Sequence, residues 1–256
     1  MSTLETGSGV LVVVPTYDEH ENLPELLTRL RAAVPDADVL VVDDNSPDGT
    51  GQLADSLAAH DPQLHVLHRP GKQGLGVAYL AGYGWGLRRD YSAFVQMDAD
   101  LSHLPEQVPH LLRALDGADL VLGTRWMPGG DVVNWPASRR WLSRGGNAYT
   151  RVVLGLPLRD ATGGFRAFRR STLERLSLQD VASAGYCFQV DLATRAAHAG
   201  LVIREVPITF VERVHGRSKM SGSIVRESLV RVTAWGVSHR AQQVGDVLWA
   251  HRRKGR

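Results

Sequence analysis

Val10-Leu11-Val12-Val13-Val14-Pro15-Thr16-Tyr17-Asp18-Glu19 is the stretch that decides the fold. Five apolar residues, four of them valine, run without alternation and then give way to polar and acidic residues. A strand that is apolar on both faces is buried on both faces, as in parallel sheets. Moving outward, Asn22–Val34 carries Leu23, Leu26, Leu27 and Leu30 at helical spacing, and Val39–Val42 is a second short apolar run. The reading is strand, helix, strand. It continues with a helix over Thr50–His60, a strand over His65–Leu67, a Gly-rich loop passing into a helix over Gly71–Gly86, and strands over Ala93–Met97 and Asp119–Gly123. These alternating elements predict an α/β domain on a mostly parallel sheet. Ligands in such sheets bind beyond the carboxyl ends of the strands. Tyr17–Glu19, Asp43–Asp44 and Asp98–Asp100 all fall there.

The second half is less regular. The spacing predicts an Arg-rich helix over Trp135–Leu154, a helix over Gly185–His198 and a strand over Val202–Val206. A polar loop is expected over Ile208–Ser223, a helix over Ile224–Trp249 and a basic tail over Arg252–Arg256. No internal repeat, low-complexity tract or linker interrupts the 256 residues, a length that suits one large domain or two small ones. With 43% hydrophobic and 22% charged residues the chain is neither disordered nor fibrous. The single cysteine, Cys187, excludes a disulfide framework and a cysteine zinc site and fits a reducing cytosol. Met1–Gly9 does not read as a signal peptide, and no apolar run approaches the ~18 residues a membrane span needs. A membrane would be met at its surface or through a partner that spans it.

The net charge of +2 hides a division. Residues 1–124 carry 7 Lys/Arg and 18 Asp/Glu, whereas residues 125–256 carry 22 and 9. Either the halves neutralise each other in the fold, or each serves a different part of a ligand.

Asp98-Ala99-Asp100 closes an apolar strand. Two such carboxylates are either an exposed polar turn or the oxygen ligands of Mg²⁺ or Mn²⁺ shared with substrate phosphates. Asp43-Asp44-Asn45-Ser46 repeats the pattern, with an acid placed to hold a ribose hydroxyl or base edge or to cap a helix. After the first strand, Tyr17 can stack on a base and Glu19 can accept from its edge. The first strand–helix turn lacks G-x-G-x-x-G, and the chain lacks G-x-x-x-x-G-K-[ST]. Nucleotide binding would therefore use neither glycine fingerprint.

The three strand ends in this order resemble family 2 glycosyltransferases. The resemblance narrows to dolichol-phosphate (polyprenol-phosphate) mannose synthases through Arg69-Pro70-Gly71-Lys72-Gln73-Gly74-Leu75-Gly76, Met97–His103, Gly123-Thr124-Arg125-Trp126 and Asn134–Gly145. Asp160–Arg166, Gly185-Tyr186-Cys187-Phe188-Gln189 and His215-Gly216-Arg217-Ser218-Lys219 add to it. It covers about Val10 to Gly222 and implies a GT-A type nucleotide-diphospho-sugar transferase fold over residues 1–222. Residues 223–256 would form a helical, basic segment at the membrane interface. The implied reaction is inverting transfer of mannose from GDP-mannose to a polyprenyl monophosphate, dependent on Mg²⁺ or Mn²⁺.

Carried over by motif, Pro15, Tyr17, Glu19, Val42, Asp44, Asp98 and Ala99 would hold the donor, with Arg213 and Lys219 in a loop over its diphosphate. Asp98, Asp100 and Ser102 would meet the metal. Ser102 stands where the family usually has Gln, which suggests a water between it and the ion. Arg125, Arg139 and Ser143 match the acceptor-phosphate positions, making Asp100, Arg125 and Arg139 the candidate catalytic residues. Cys187 stands where some relatives carry Lys.

The chemistry is coherent with these residues. An acceptor phosphate is already anionic and needs positioning and charge neutralisation rather than a general base. His103 is accordingly expected to be structural. Arginine forks suit oxyanions. Within Ile224–Trp249, tryptophans and valines alternate with Arg226, Arg231 and Arg240, so the segment reads either as an interfacial helix or as a core-packing one. The expected setting is the cytoplasm, peripheral on the inner face of a membrane, where a separate membrane-spanning partner would fit. The alternatives are a glucosyltransferase using UDP-glucose on the same acceptor class and an inactive nucleotide-sugar binding subunit. Nucleic acid is not an expected partner, because the arginines sit within phosphate-site motifs and no nucleic-acid reading module is present.

Overall fold

The computed structural model describes residues 4–181, 187–213 and 229–237. Seven strands form one sheet in the order β3-β2-β1-β4-β7-β5-β8. Strands β1 (Val10–Thr16), β2 (Asp38–Asp43), β3 (Leu64–His68) and β4 (Ala93–Gln96) run parallel, as do β5 (Leu120–Thr124) and β8 (Ile203–Pro207). Between the two groups β7 (Arg166–Arg169) is antiparallel to both neighbours. The chain leaves β1 toward β2 on one side and places β4 on the other, which makes the β1/β4 boundary a switch point where a crevice opens beyond the strand ends.

Alternation along β1 supplies two cores. Val10, Val12 and Val14 face α1 (Leu23–Ala33), α2 (Thr50–Ala58) and α4 (Val108–Ala114). Leu11 and Val13 face α3 (Leu75–Leu87), α5 (Ala137–Leu154), α6 (Arg170–Arg175) and α7 (Cys187–His198). The run has no polar phase because both sides are buried. The helix at 229–237 packs into the second core through Val232. Among the described residues no helix is long and apolar enough to cross a membrane.

The Gly-rich stretch passes from a loop into α3 as expected, and its glycines let the helix lie on the sheet: a Cβ on Gly86 would come within 2.4 Å of the Phe94 ring. Three features differ from the sequence reading. Residues 105–114, for which the sequence reading gives no element, form a 3₁₀ turn leading into α4, with Pro109 in the first turn where it costs no hydrogen bond. The expected loop over Ile208–Ser223 begins with β9 (Thr209–Val211), which pairs in parallel with β6 (Asp131–Val133) in a small second sheet. Both strands are too short for periodicity to reveal. Finally, β7 is a central strand that begins and ends with arginine. Arg166 is fully buried and donates to the carbonyls of Ala161, Gly163 and Gln189 at 2.7–2.8 Å. Burial without a carboxylate partner pushes its pKa down to about 10.

The α3 glycines yield a contrast. Gly84 faces only the Arg88 tip at 3.7 Å, so Gly84→Ala should gain about 0.5–1 kcal/mol from helix propensity. Gly86→Ala should lose on the order of 1 kcal/mol or more, because overpacking costs ~1–3. Urea denaturation of the two variants checks both signs.

Candidate active site

Two turns at the ends of β1 and β2 build the first wall. Asp43 is buried and accepts from Thr16 Oγ1 at 3.0 Å, Ser46 Oγ at 2.5 Å and Ser46 N at 3.1 Å, which staples the turns together. Asp44 is also buried and pairs with Arg69, whose Nη2 donates to Gln73 Oε1 at 2.9 Å. Burial raises the Asp44 carboxyl despite Arg69. Glu19 accepts from Asn22 Nδ2 at 2.8 Å, and its N–H donates to Thr50 Oγ1 at 3.0 Å. Tyr17 is half-buried with Lys72 Nζ 4.0 Å above its ring. Pro15, Val42 and Ala99 are buried, with the side chains of Val42 and Ala99 in the two cores. Anything Val42 or Ala99 offers a ligand comes from its backbone.

The carboxylate pair follows β4. Tyr79 Oη donates to Asp98 Oδ1 at 2.8 Å, and Ser102 donates to Asp100 Oδ1 from Oγ at 2.5 Å and from N at 3.2 Å. Arg213 Nη2 lies 3.2 Å from Asp100 Oδ2. His103 Nδ1 approaches Asp98 Oδ2 at 3.9 Å, yet this is no ion pair: the nitrogen accepts the Asp98 N–H at 3.2 Å, and burial lowers the imidazole pKa. A neutral His103, stacked on Phe165 with ring centroids 5.0 Å apart, positions the Asp98 backbone. Its expected structural role agrees with this geometry. Asp18, Asn45 and Leu101 take left-handed φ values of 57°, 57° and 59° in the turns after β1, β2 and β4. Such strain gathers where a site fixes the backbone, and for Leu101 it is the least tolerated.

The second wall is basic and aromatic. Arg125 sits at the end of β5 and forks onto Asp160: Nε to Oδ2 and Nη2 to Oδ1, both at 2.7 Å, with its backbone N–H on Oδ2 at 3.1 Å. Asn147 Nδ2 and Thr162 Oγ1 also donate to Asp160 Oδ1, each at 3.1 Å. Burial alone would lower the Arg125 pKa, but Asp160 and, more distantly, Asp98 hold it above its ordinary value. Arg139 on α5 pairs with Glu212 and lies 4.0 Å over the Trp135 ring. Ser143 stands one turn further along, with Arg144 4.8 Å over the Trp126 ring. The buried indole nitrogens of Trp126 and Trp135 have no hydrogen-bond acceptor among the described residues.

Two consecutive residues after β9 join the walls: Glu212 holds Arg139, and Arg213 holds Asp100. The structure therefore brings Asp98, Asp100, Ser102, Arg125, Arg139 and Arg213 into one region. Lys219, Gly185, Tyr186 and the basic tail lie outside the described residues. Cys187 opens α7 as a buried side chain. Sequence reasoning did not single out Glu212, Asn147, Tyr79 or the role of Asp160 as the partner of Arg125. Its one signal for them was the motif Asp160-Ala161-Thr162-Gly163-Gly164, in which the acid could equally be read as the partner of the adjacent Arg159.

A model of glycosyl transferase family 2 matches residues 11–177. An undecaprenyl-phosphate mannosyltransferase of Micrococcus luteus is 58% identical over 231 residues, covering 90% of this chain and 95% of the relative. A polyprenol monophosphomannose synthase of Mycolicibacterium smegmatis is 52% identical over 249 residues, covering 96% and 94%. Among solved structures, glucosyl-3-phosphoglycerate synthase from Mycobacterium tuberculosis with phosphoglyceric acid superimposes with a TM-score of 0.66 at 20% identity, covering 90% of this chain and 81% of that one. The same enzyme with Mn²⁺, UDP-glucose and phosphoglyceric acid gives 0.65 at 20% identity over 91% and 81%. These neighbours share the GT-A fold expected from the sequence.

The Arg125–Asp160 pair has a measurable signature. Asp160→Asn leaves a buried guanidinium without its counter-charge and should cost about 3–5 kcal/mol at pH 7. Burial alone would raise the Asp160 carboxyl, but Arg125 holds it below the ordinary range. The pair's contribution is thus complete above about pH 4, the ordinary carboxylate pKa, and falls away as pH drops through the lower folded value. Denaturation from pH 7 to pH 2 should show this acid-side loss in the parent chain and a smaller one in Asp160→Asn.

Proposed function

Because this chain belongs to glycosyl transferase family 2 and closely matches two polyprenyl-phosphate mannosyltransferases, we propose that it transfers mannose from GDP-mannose to the phosphate of a polyprenyl monophosphate. One observation carries the reading: the Glu212-Arg213 pair ties an acidic strand end to an arginine-bearing helix. A carboxylate pair suited to a cation–diphosphate group thereby lies beside an arginine suited to a second phosphate.

The donor set fits a divalent cation. Asp98 and Asp100 offer hard oxygen ligands, and the guanidinium on Asp100 marks a place that takes positive charge. Among the described residues no group of three or more His, Cys, Asp or Glu is placed to hold an ion, so the two aspartates would need diphosphate oxygens and water to complete its shell. Asp98 and Asp100 would hold Mg²⁺ or Mn²⁺, with Ser102 acting through Asp100, to which its hydroxyl proton is committed. When bound, the ion supplies charge neutralisation at the leaving diphosphate.

The chain's own residues supply the rest. Tyr17, whose ring carries Lys72 on one face, stacks on the base, and Asp44, kept rigid by Arg69, meets the ribose. Arg139 and Ser143 hold the acceptor phosphate. Arg125 reaches it with Nη1, since Nε and Nη2 are committed to Asp160. Arg213 leaves Asp100 for the diphosphate as the donor enters. An acceptor oxygen attacks the anomeric carbon from the face opposite the diphosphate, and the bond to GDP breaks with inversion. No base is needed, in keeping with a neutral, buried His103 that has no substrate proton to take. The enzyme works at the inner face of a membrane.

The test offers GDP-mannose and UDP-glucose in parallel to a polyprenyl phosphate with Mg²⁺ or Mn²⁺. Lipid-linked mannose from GDP-mannose alone is expected. Lipid-linked glucose instead would replace the donor assignment, and no product from either would point to an inactive subunit. Asp100→Ala should lower kcat by about 10²–10³ or more, the cost of losing one preorganised charge-stabilising group. Arg139→Ala should raise KM for the lipid phosphate while donor affinity, followed by titration, stays unchanged.

A further inference from the structure

Two ion pairs on the basic wall differ in kind. The Asp160 side chain has no exposure and gathers five hydrogen bonds from Arg125, Asn147 and Thr162. Glu212 has one partner among the described residues, Arg139, and both side chains of that pair are 27% exposed. On the arginine side the pair uses Nη1 alone, so the rest of the Arg139 fork makes no hydrogen bond among the described residues. The first pair is permanent. The second, held by one contact and open to water, is exchangeable.

The surroundings let Glu212 leave and return. Its backbone is anchored: Val211 N–H donates to the Ser102 carbonyl at 3.0 Å, and Glu212 N–H donates to the Val133 carbonyl at 3.1 Å. The carboxylate can therefore swing off Arg139 by side-chain rotation while β9 stays paired with β6. Arg139 keeps its place meanwhile, because its guanidinium lies 4.0 Å over the Trp135 ring. A phosphate offers more oxygens and more charge than a carboxylate and can take the fork bidentately. It is the better partner for an arginine that uses one donor.

We propose that Glu212 is a built-in competitor for the acceptor phosphate. Its carboxylate occupies Arg139 until the phosphate displaces it, and it returns as the product leaves. Here the inference rests on the function proposed above, which places the acceptor phosphate on Arg139. In the transfer one acceptor oxygen becomes the bridge to the sugar, and the leaving diphosphate takes the electron pair of the broken bond. A phosphate monoester, with a second pKa of about 6, enters with close to two negative charges and leaves as a diester with one. Its hold on Arg139 weakens, whereas that of Glu212 does not change. The tethered carboxylate thus regains the arginine after the chemistry. Removing its charge should therefore tighten acceptor binding, the opposite of what loss of a structural support for Arg139 would do.

The full chain is tested by calorimetric titration with octyl phosphate, without donor, at ~pH 8, where the ligand is a dianion. Glu212→Gln should bind it roughly three- to tenfold more tightly than the parent, the range of one exposed ion pair. Most of this gain should vanish in an Arg139→Ala background, where the carboxylate has no arginine to occupy. Octanol, with the same tail and no charge, should show no gain. Glu212→Ala gives an independent reading should the first variant not fold. In steady-state transfer Glu212→Gln should lower KM for the lipid phosphate without raising kcat, because the product is held more tightly as well. Weaker or unchanged octyl phosphate binding in both variants overturns the inference, as does an equal gain in the Arg139→Ala background or no binding by any chain. Mannose transfer by the parent alongside such a result leaves the proposed function standing. Tighter binding by the variants with no transfer in any chain refutes that function and leaves Glu212 as the competitor at a phosphate site.

Discussion

The arrangement depends on a single carboxylate with no solvent exposure. Asp160 gathers the backbone and fork of Arg125, the Asn147 amide and the Thr162 hydroxyl, and these come from β5, α5 and the segment entering β7. A buried charge this costly persists only when its partners arrive together and in register. Arg166 adds the second constraint. Its three hydrogen bonds to the carbonyls of Ala161, Gly163 and Gln189 clamp the segment that presents Asp160 and tie it to α7. The antiparallel strand β7, anomalous in a parallel sheet, is what brings this arginine under the loop. The basic wall of the site thus rests on two buried arginines, one compensated by a carboxylate and the other by peptide carbonyls.

The acidic wall follows the opposite logic. Its carboxylates stand at the open ends of strands, where a cation can come and go. Asp44 keeps Arg69, from the same half of the chain, as a fixed partner. Asp100 has Arg213, which the chain brings from the basic half. Among the described residues the Asp98 carboxylate accepts a hydrogen bond from the Tyr79 hydroxyl, and its backbone N–H donates to His103. The uneven charge of the two halves is therefore not consumed by mutual pairing across the fold. Most of the acids and arginines that matter are paired within their own wall, and Arg213–Asp100 is the bridge that a diphosphate–cation group would replace.

The sequence discloses these walls unequally. β1, β2, β4 and β5 are legible because they are apolar on both faces and end in charge. The carboxylates after them are legible for the same reason, since a strand end is where such a run must become polar. β7 is hidden because its burial depends on Arg166 finding the carbonyls of Ala161 and Gly163 in the preceding loop and of Gln189 23 residues on, and no periodicity encodes that. β6 and β9 are hidden because three residues carry no pattern. Glu212 falls in a stretch that reads as a polar loop, and its value lies in the residue next to it. Asp160 is visible as part of a motif, but its task is fixed by Arg125, 35 positions earlier. Local chemistry reveals which residues are unusual, and only the fold shows which of them meet.

Helix α5 shows how closely these demands are packed. Asn147, Thr150 and Leu154 turn inward, where Asn147 serves Asp160 and Leu154 joins the core. Arg139 turns toward Glu212, and Trp141 with Val152 turns to solvent. Successive residues of a helix differ in direction by about 100°. The three tasks can therefore occupy one helix only if its rotation about its own axis is fixed. The inward contacts fix it: a buried amide hydrogen-bonded to a buried carboxylate has one acceptable orientation, whereas apolar packing alone would tolerate several. The Asn147–Asp160 hydrogen bond thus orients the exposed face of the helix as well as Arg139. A helix turned by one residue would carry Asn147 away from Asp160 and Arg139 away from Glu212 together.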